Sequence, residues 1–339
     1  MLWGWDQGNE LPVYHPWNYL DDGARNAPVL PRLVQTGPGQ QLSAALYLHT
    51  GRQRLCFEAF NPPDWAAAWG QDAFGLYADF KIREVTQRFR WIAPGTFLMG
   101  SPESEPERLN RETQHEVTLT QGCWLADTAC TQALWSAVMN DNPAHFKEDM
   151  DNPVETVSWD DAQKLIDRLN HDYPDLSARL PTEAQWEYAC RAGTTTPFSF
   201  GKQITPDQVN YDGNYPYAGG KKGQCRNKTV PVKSLPPNPW GLYEMHGNVW
   251  EWCADWYGAY PEPAVIDPAG PENGDGRVLR GGSWYLYGRG VRSAYRDGNA
   301  PVDRDDDIGF RLALGRTGVS LQVQEDSAEA RAAAAEQEK

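Results

Sequence analysis

Thiols, imidazoles and carboxylates are the groups in this chain that could do chemistry, and their spacing decides which kind. The six cysteines (Cys56, Cys123, Cys130, Cys190, Cys225 and Cys253) include no Cys-x-x-Cys pair, and a chain of this size needs no disulfide staples, so free thiols are expected. Cys190 falls inside a predicted helix, where a thiol reads most simply as core. The six histidines (His15, His49, His115, His145, His171 and His246) contain no His-x-x-x-His pairing. His246 reads as a turn residue, with a cryptic site built from it and nearby acids as the alternative. The run Asp303-Arg304-Asp305-Asp306-Asp307 lacks the alternating spacing and central glycine of an EF-hand loop, so it is expected to be a solvated, ligand-facing acidic patch. Neither a Gly-rich phosphate cradle nor a Gly-x-Ser-x-Gly elbow occurs. What remains points to recognition. Between residues 284 and 307 the chain carries Trp284, Tyr285, Leu286, Tyr287, Gly290, Tyr295, Asp297, Asn299, Asp303, Asp305, Asp306 and Asp307. Tyrosine offers a large contact area with a polar tip at low entropy cost, and small or acidic neighbours adapt around it, as in antibody loops. These twelve residues are therefore the candidate ligand-binding set, with Tyr285, Tyr287 and Tyr295 as its anchors.

The elements that must position this segment follow from composition and pattern. In 339 residues, 40% hydrophobic and 12% aromatic content can fill a core, which excludes disorder of the whole chain. Acidic residues number 46 against 31 basic, a formal charge of -15, so a phosphate backbone would be repelled. No nucleic-acid partner is expected. No stretch approaches the ~18 apolar residues of a membrane span. The start Met1-Leu2-Trp3-Gly4-Trp5-Asp6 lacks the basic and apolar regions of a signal peptide, so a soluble, cytoplasmic protein without membrane partners is expected. Fifteen Trp, 31 Gly and 26 Pro predict large aromatics under many turns.

The reading divides the chain into an N-terminal arm and small elaboration (1–84), a main domain (85–315) and a flexible Ala/Glu-rich tail (316–339). A hairpin is expected around Gly51, and a short helix surrounded by aromatics over residues 64–80. A second hairpin across Pro94-Gly95 would open the main domain, followed by a solvated charged loop over residues 101–114. Three helices are signalled. One starts at Thr131 with Leu134, Trp135, Val138 and Met139 as its apolar stripe. Another is capped by Ser158 with Asp161, and carries Ala162, Leu165, Ile166 and Leu169 on one face. In the third, Thr182 and Gln185 form a capping box and Gly193 is the stop.

Longer strings carry a resemblance. Pro236-Pro237-Asn238-Pro239-Trp240-Gly241-Leu242-Tyr243-Glu244-Met245-His246-Gly247-Asn248-Val249-Trp250-Glu251-Trp252-Cys253 is followed by Arg277-Val278-Leu279-Arg280-Gly281-Gly282-Ser283-Trp284 and by Ile308-Gly309-Phe310-Arg311. Upstream stand Pro94-Gly95-Thr96-Phe97-Leu98-Met99-Gly100-Ser101 and Arg179-Leu180-Pro181-Thr182-Glu183-Ala184-Gln185-Trp186-Glu187. Together these blocks resemble the formylglycine-generating enzyme, or sulfatase-modifying factor, family over about residues 85–315. The resemblance implies an α+β fold of the complex C-type-lectin type, loop-rich with little regular secondary structure. In the Gly-Asn-Val-Trp-Glu-Trp string, an extended backbone sends Trp250 and Trp252 to one side and Glu251 to the other. Arg280, Arg292, Arg296 and Arg311 are expected to be buried framework charges paired to carboxylates and carbonyls.

The same resemblance implies a structural Ca²⁺ held by the side chains of Glu244 and Glu251 and by the carbonyls of Gly247 and Val249, with an arginine or backbone amides holding Glu251 as the alternative. A second calcium site would begin at Asn210 and the carbonyl of Tyr211, without a clear acidic counterpart downstream. Oxidising members hold copper on two cysteines just after the Arg-Gly-Gly-Ser motif. This chain has no cysteine after Cys253, so no copper is expected. The sulfoxide-synthase branch binds non-haem iron on three histidines, and the histidines here do not suit it. A non-catalytic module binding a protein or small-molecule ligand is therefore the expected function. Its layout is similar to the variable region of retroelement-diversified C-type-lectin-type proteins. A divergent oxidase or a non-haem iron enzyme is the alternative.

Overall fold

A computed structural model describes residues 3–5, 12–14, 46–50, 53–57, 63–261, 264–315 and 322–324. The Gly51 hairpin forms, Leu46–Thr50 pairing antiparallel with Gln53–Phe57. Gln322–Gln324 adds a backbone pairing to the second of these strands, inside the segment expected to be a flexible tail. The rest of the expected N-terminal arm and of the expected flexible tail lies outside the described residues. No helix among the described residues is long and apolar enough to cross a membrane.

Three sheets and three helices build the domain. The largest sheet has six strands, in the spatial order Ala178–Arg179, Ala313–Leu314, Cys123–Ala126, Val85–Ile92, Gly75–Ile82 and Ala68–Asp72, with all pairings antiparallel. A four-stranded sheet orders Arg296–Asn299, Arg277–Arg280, Trp250–Trp256 and Ile308–Phe310, the last pairing being parallel. A three-stranded sheet joins Val265–Ile266, His115–Leu119 and Gly95–Met99.

Three expectations are corrected by this topology. Residues 68–82 form a hairpin instead of a short helix: Leu76, Ala78, Phe80 and Ile82 alternate inward, which is a period of 2. That hairpin extends the sheet of Val85–Ile92, so the domain starts at or before Ala68 and not at residue 85. The chain does not fold back across Pro94-Gly95, because Val85–Ile92 pairs with Cys123–Ala126 while Gly95–Met99 pairs with His115–Leu119 in a different sheet.

The helices follow their caps. α1 (Gln132–Met139) starts where Thr131 accepts the Leu134 amide. α2 (Trp159–Asp172) opens on a reciprocal capping box of Ser158 with Asp161 and buries Ala162, Leu165, Ile166 and Leu169. α3 (Glu183–Arg191) opens on the box of Thr182 with Gln185, and Ala192 and Gly193 end it in the left-handed region. Each such cap contributes roughly 1 kcal/mol to helix stability. The core joins α1, α2 and the two larger sheets through Trp124, Trp135, Trp250, Trp252 and Phe310. The buried indole of Trp252 donates to the Val157 carbonyl at 3.0 Å, and that of Trp186 to Glu251 at 2.7 Å.

Buried ion pairs lock this core to the C-terminal segment. Arg280, Arg292, Arg296 and Arg311 are all buried, as expected. Arg280 pairs with Glu187, which also holds Arg191. Arg296 grips Glu183 with Nε and Nη2, both at 2.7 Å, and Arg311 grips Glu251 at 2.6 and 2.7 Å. The planar fork of arginine suits these two-pronged contacts, which a lysine cannot make. Arg292 corrects the reading of the 101–114 loop. Its guanidinium meets Glu105 at 2.6 Å and Glu112 at 2.8 and 2.7 Å, so two of the loop's charges are buried and tie it down.

Candidate functional site

The strand Arg277–Arg280 delivers the chain to a sharp turn, Gly281 and Gly282 having φ of 91° and 68°. A Cβ on Gly282 would lie 2.5 Å from the Gly290 carbonyl, so only glycine lets the two backbones approach. Ser283 then donates its hydroxyl to Asp307 at 2.6 Å, which fixes the start of the segment against its end. Trp284 turns inward, packs edge-on against Phe146 and donates to the Asp306 carbonyl at 3.3 Å. Leu286 is half-buried against the core, and Gly290 is buried beneath it.

With Trp284 and Leu286 pointing in, Tyr285 and Tyr287 point out, 66% and 47% exposed. Tyr287 lies almost flat on Tyr215, their ring centres 4.1 Å apart and the planes at 30°. Tyr215 is itself 51% exposed, so the rim is aromatic. The acidic turn adjoins it through Trp284, with carboxylate oxygens of Asp305, Asp306 and Asp307 within 4.8 Å of one another. Asp305 is exposed and Asp306 half-buried, whereas Asp307 is buried and its carboxyl is pushed up to about 6, mainly by burial. Asp303 caps a local turn by accepting the Ala300 amide.

Not all twelve candidates share this rim. Tyr295 is half-buried, tilted against Trp250 at 6.0 Å with the Arg111 guanidinium 5.3 Å from its ring, so it is a wall and not an exposed anchor. Asp297 pairs with Arg111 at 3.2 Å, and Asn299 lies opposite Arg277 on the outer strand of its sheet. Gly290 is packing. Tyr215 and Phe146, which complete the rim and its support, lie in loops without periodicity and only the tertiary fold brings them in.

The groups implied for calcium are differently occupied. Glu244 sits in the left-handed region with φ 48°, is buried, and its Oε1 has no partner, while Oε2 accepts the Lys233 amide at 3.3 Å. Burial pushes its carboxyl up to about 7, against the opposing pull of the Lys233 amide and Arg311. Glu251 is held by Arg311 and Trp186, the alternative weighed above. Oε2 accepts from both and Oε1 from Arg311, which leaves one acceptor position on Oε1. Asn210 also has a buried, unpartnered Oδ1. Its amide nitrogen donates to Lys228 and Asn248, and its carbonyl accepts the Asn248 amide.

One buried cluster brings the Cys190 thiol within 3.7 Å of His246. His246 donates from Nδ1 to the Val291 carbonyl at 2.8 Å and accepts from Ser199 at Nε2. Burial drives its imidazole down to about 4 and pushes the neighbouring Cys190 thiol up to about 12. Both are neutral near pH 7 and sealed from solvent, so this is a structural hydrogen-bond node.

Comparison with known proteins places the scaffold. Residues 77–315 match the sulfatase-modifying factor enzyme 1-like domain. The chain is 38% identical over 248 residues to the formylglycine-generating enzyme of Thermomonospora curvata, covering 67% of this chain and 73% of that protein. It is 39% identical over 173 residues to the Streptomyces coelicolor enzyme, covering 48% of this chain and 52% of its relative. The Bos taurus protein named inactive C-alpha-formylglycine-generating enzyme 2 is 35% identical over 178 residues, 50% of this chain and 52% of that one. The chain thus spans about half the length of several curated relatives. Among solved structures, Treponema denticola variable protein 1 superposes with a TM-score of 0.60 at 28% identity, over 70% of this chain and 98% of the other. PvdO from Pseudomonas aeruginosa does so with a TM-score of 0.61 at 28% identity and the same coverage.

Proposed function

This chain belongs to the sulfatase-modifying factor, or formylglycine-generating enzyme, family, and we propose that it works there as a recognition module that binds a protein or small-molecule ligand through Tyr285, Tyr287 and Tyr215. The observation that carries the reading is the exchange of one kind of residue for another on a rigid base. Where oxidising members are expected to hold copper on a cysteine pair, this chain has no sulfur after Cys253 and instead exposes tyrosines, two of them in ring contact, on a domain held by buried arginine–carboxylate pairs. Rigid aromatic side chains lose little entropy on binding and form contact anchors. Similarity to an inactive family member and to a variable protein supports the same reading.

Calcium belongs to the scaffold in this proposal. Glu244 supplies the free oxygen, with the carbonyls of Gly247 and Val249 and the remaining acceptor position of Glu251 completing the set. Bound there, the ion would neutralise a buried carboxylate and fix the loop that leads into Trp250, and it takes no part in recognition.

The test is selection of a displayed peptide library on the wild-type chain, with metal analysis of the same preparation. The expected result is saturable binders that lose at least about tenfold in affinity on Tyr285→Ala/Tyr287→Ala, as for interface hot spots. Binders indifferent to that change would refute the proposal. So would stoichiometric copper or iron together with oxygen consumption on a cysteine peptide.

A further inference from the structure

A cavity of about 330 Å³, lined by none of the twelve candidate residues, lies at the end of the strand Trp250–Trp256 and the start of α3, beneath the loop that follows that strand. Its floor is charged and its walls are mostly apolar and aromatic, with His115 among them. Glu183, Asp255 and Arg296 are all buried at its base, while Trp256, Tyr260 and Pro271 are among the groups around them.

The two carboxylates are in different states. Glu183 is fully engaged: Arg296 binds both of its oxygens at 2.7 Å, and the Tyr260 hydroxyl donates to Oε1 at 2.8 Å. Asp255 is only 4% exposed, and its Oδ2 accepts the Glu183 amide at 2.8 Å. Among the described residues no lysine or arginine lies within ion-pair distance of Asp255. Its Oδ1 faces Gly270, which lines the cavity: a Cβ built on Gly270 would come within 3.3 Å of that oxygen. A carboxylate this deep is costly without a cation, and the one arginine on the floor is spent on Glu183. Burial, reinforced by Glu183, accordingly pushes the Asp255 carboxyl up to about 7.

We propose that this cavity binds a small organic cation, a primary ammonium or guanidinium with a short apolar tail, its charged head on Oδ1 of Asp255 and its tail against Trp256, Tyr260 and Pro271. The size is at the lower end of small-molecule pockets, roughly 300–1,000 Å³, which fits a ligand of a few heavy atoms. An anionic ligand would face two carboxylates, and the arginine beside them is held by Glu183 while the lining His115 is hydrogen-bonded to the Thr113 carbonyl through Nδ1. The site is independent of the tyrosine rim, so either proposal can fail without the other.

The experiment is a calorimetric titration of the full chain with butylammonium, butyrate and 1-butanol as matched probes. Butylammonium is expected to bind one to one, with the other two at least about tenfold weaker, and Asp255→Asn should lower its affinity by at least about tenfold, as for loss of a charged hydrogen bond. Ala259→Trp, at an exposed position on the cavity wall, should weaken butylammonium similarly while leaving the melting temperature unchanged, and it decides the matter if Asp255→Asn does not fold. Butyrate binding as tightly as butylammonium, binding that survives both substitutions, or no saturable binding of butylammonium would overturn the proposal.

Discussion

Replacing Arg292 with methionine keeps much of the side-chain volume but removes the guanidinium that is hydrogen-bonded to Glu105 and Glu112 in their buried positions. Five contacts go with it: Glu105 at 2.6 Å, Glu112 at 2.8 and 2.7 Å, the Arg289 carbonyl at 3.0 Å and the Glu107 carbonyl at 3.3 Å. Breaking a buried pair from one side typically costs about 3–5 kcal/mol, because the abandoned charge stays desolvated. At roughly 2–4 °C per kcal/mol for a domain of this size, the melting temperature should fall by about 6–20 °C. The pH dependence separates charge from packing. Burial already raises the Glu105 carboxyl, with Arg292 opposing the rise. Without Arg292 the Glu105 carboxyl must rise further above its unfolded value, since the group opposing burial is gone. Protonation then favours folding, and stability drains away as pH rises. The deficit relative to wild type should therefore be largest near pH 8 and shrink toward pH 5. Urea unfolding followed by tryptophan fluorescence at both values measures it. A loss below about 1 kcal/mol at pH 8, or a deficit that grows on acidification, would refute the reasoning.

Two further outcomes are expected. Because burial holds the Glu244 carboxyl up near 7, its contribution to stability is present at low pH and lost as pH rises through about 7, so added CaCl₂ should raise the melting temperature more at pH 8 than at pH 6. Glu244→Gln should flatten both the pH dependence and the calcium response in differential scanning fluorimetry. Gly282→Ala puts a side chain at φ 68° against the Gly290 carbonyl and should cost about 1–3 kcal/mol in chemical denaturation, visible also as loss of protection in hydrogen exchange over residues 283–291.

What could be read from the sequence was what local chemistry dictates. The capping pairs Ser158 with Asp161 and Thr182 with Gln185 announce α2 and α3, and strand alternation places Trp250 and Trp252 opposite Glu251. The four framework arginines were likewise legible by type. Their partners were not: the loop at 101–114 looks solvated because the charge that draws Glu105 and Glu112 inward is 180 or more residues away. The 68–82 hairpin was missed for a different reason. Its several aromatics masked the alternation of Leu76, Ala78, Phe80 and Ile82. Within the candidate set, Tyr285 and Tyr287 emerged on the surface but Tyr295 did not, since one sequence cannot say which side of a loop faces Trp250. The Asp255 cavity needed several distant segments to meet, and no spacing encodes that.

The short stretch Ile308–Phe310 runs parallel to Trp250–Trp252, and Ala313–Leu314 inserts between Cys123–Ala126 and Ala178–Arg179. Seven consecutive residues therefore stitch two sheets whose other strands all precede them in the chain. A nascent chain emerging from the ribosome must keep both cores open, with indoles unsealed, until this last piece arrives. Such closure by remote pairing is slow and favours assistance from chaperones during synthesis.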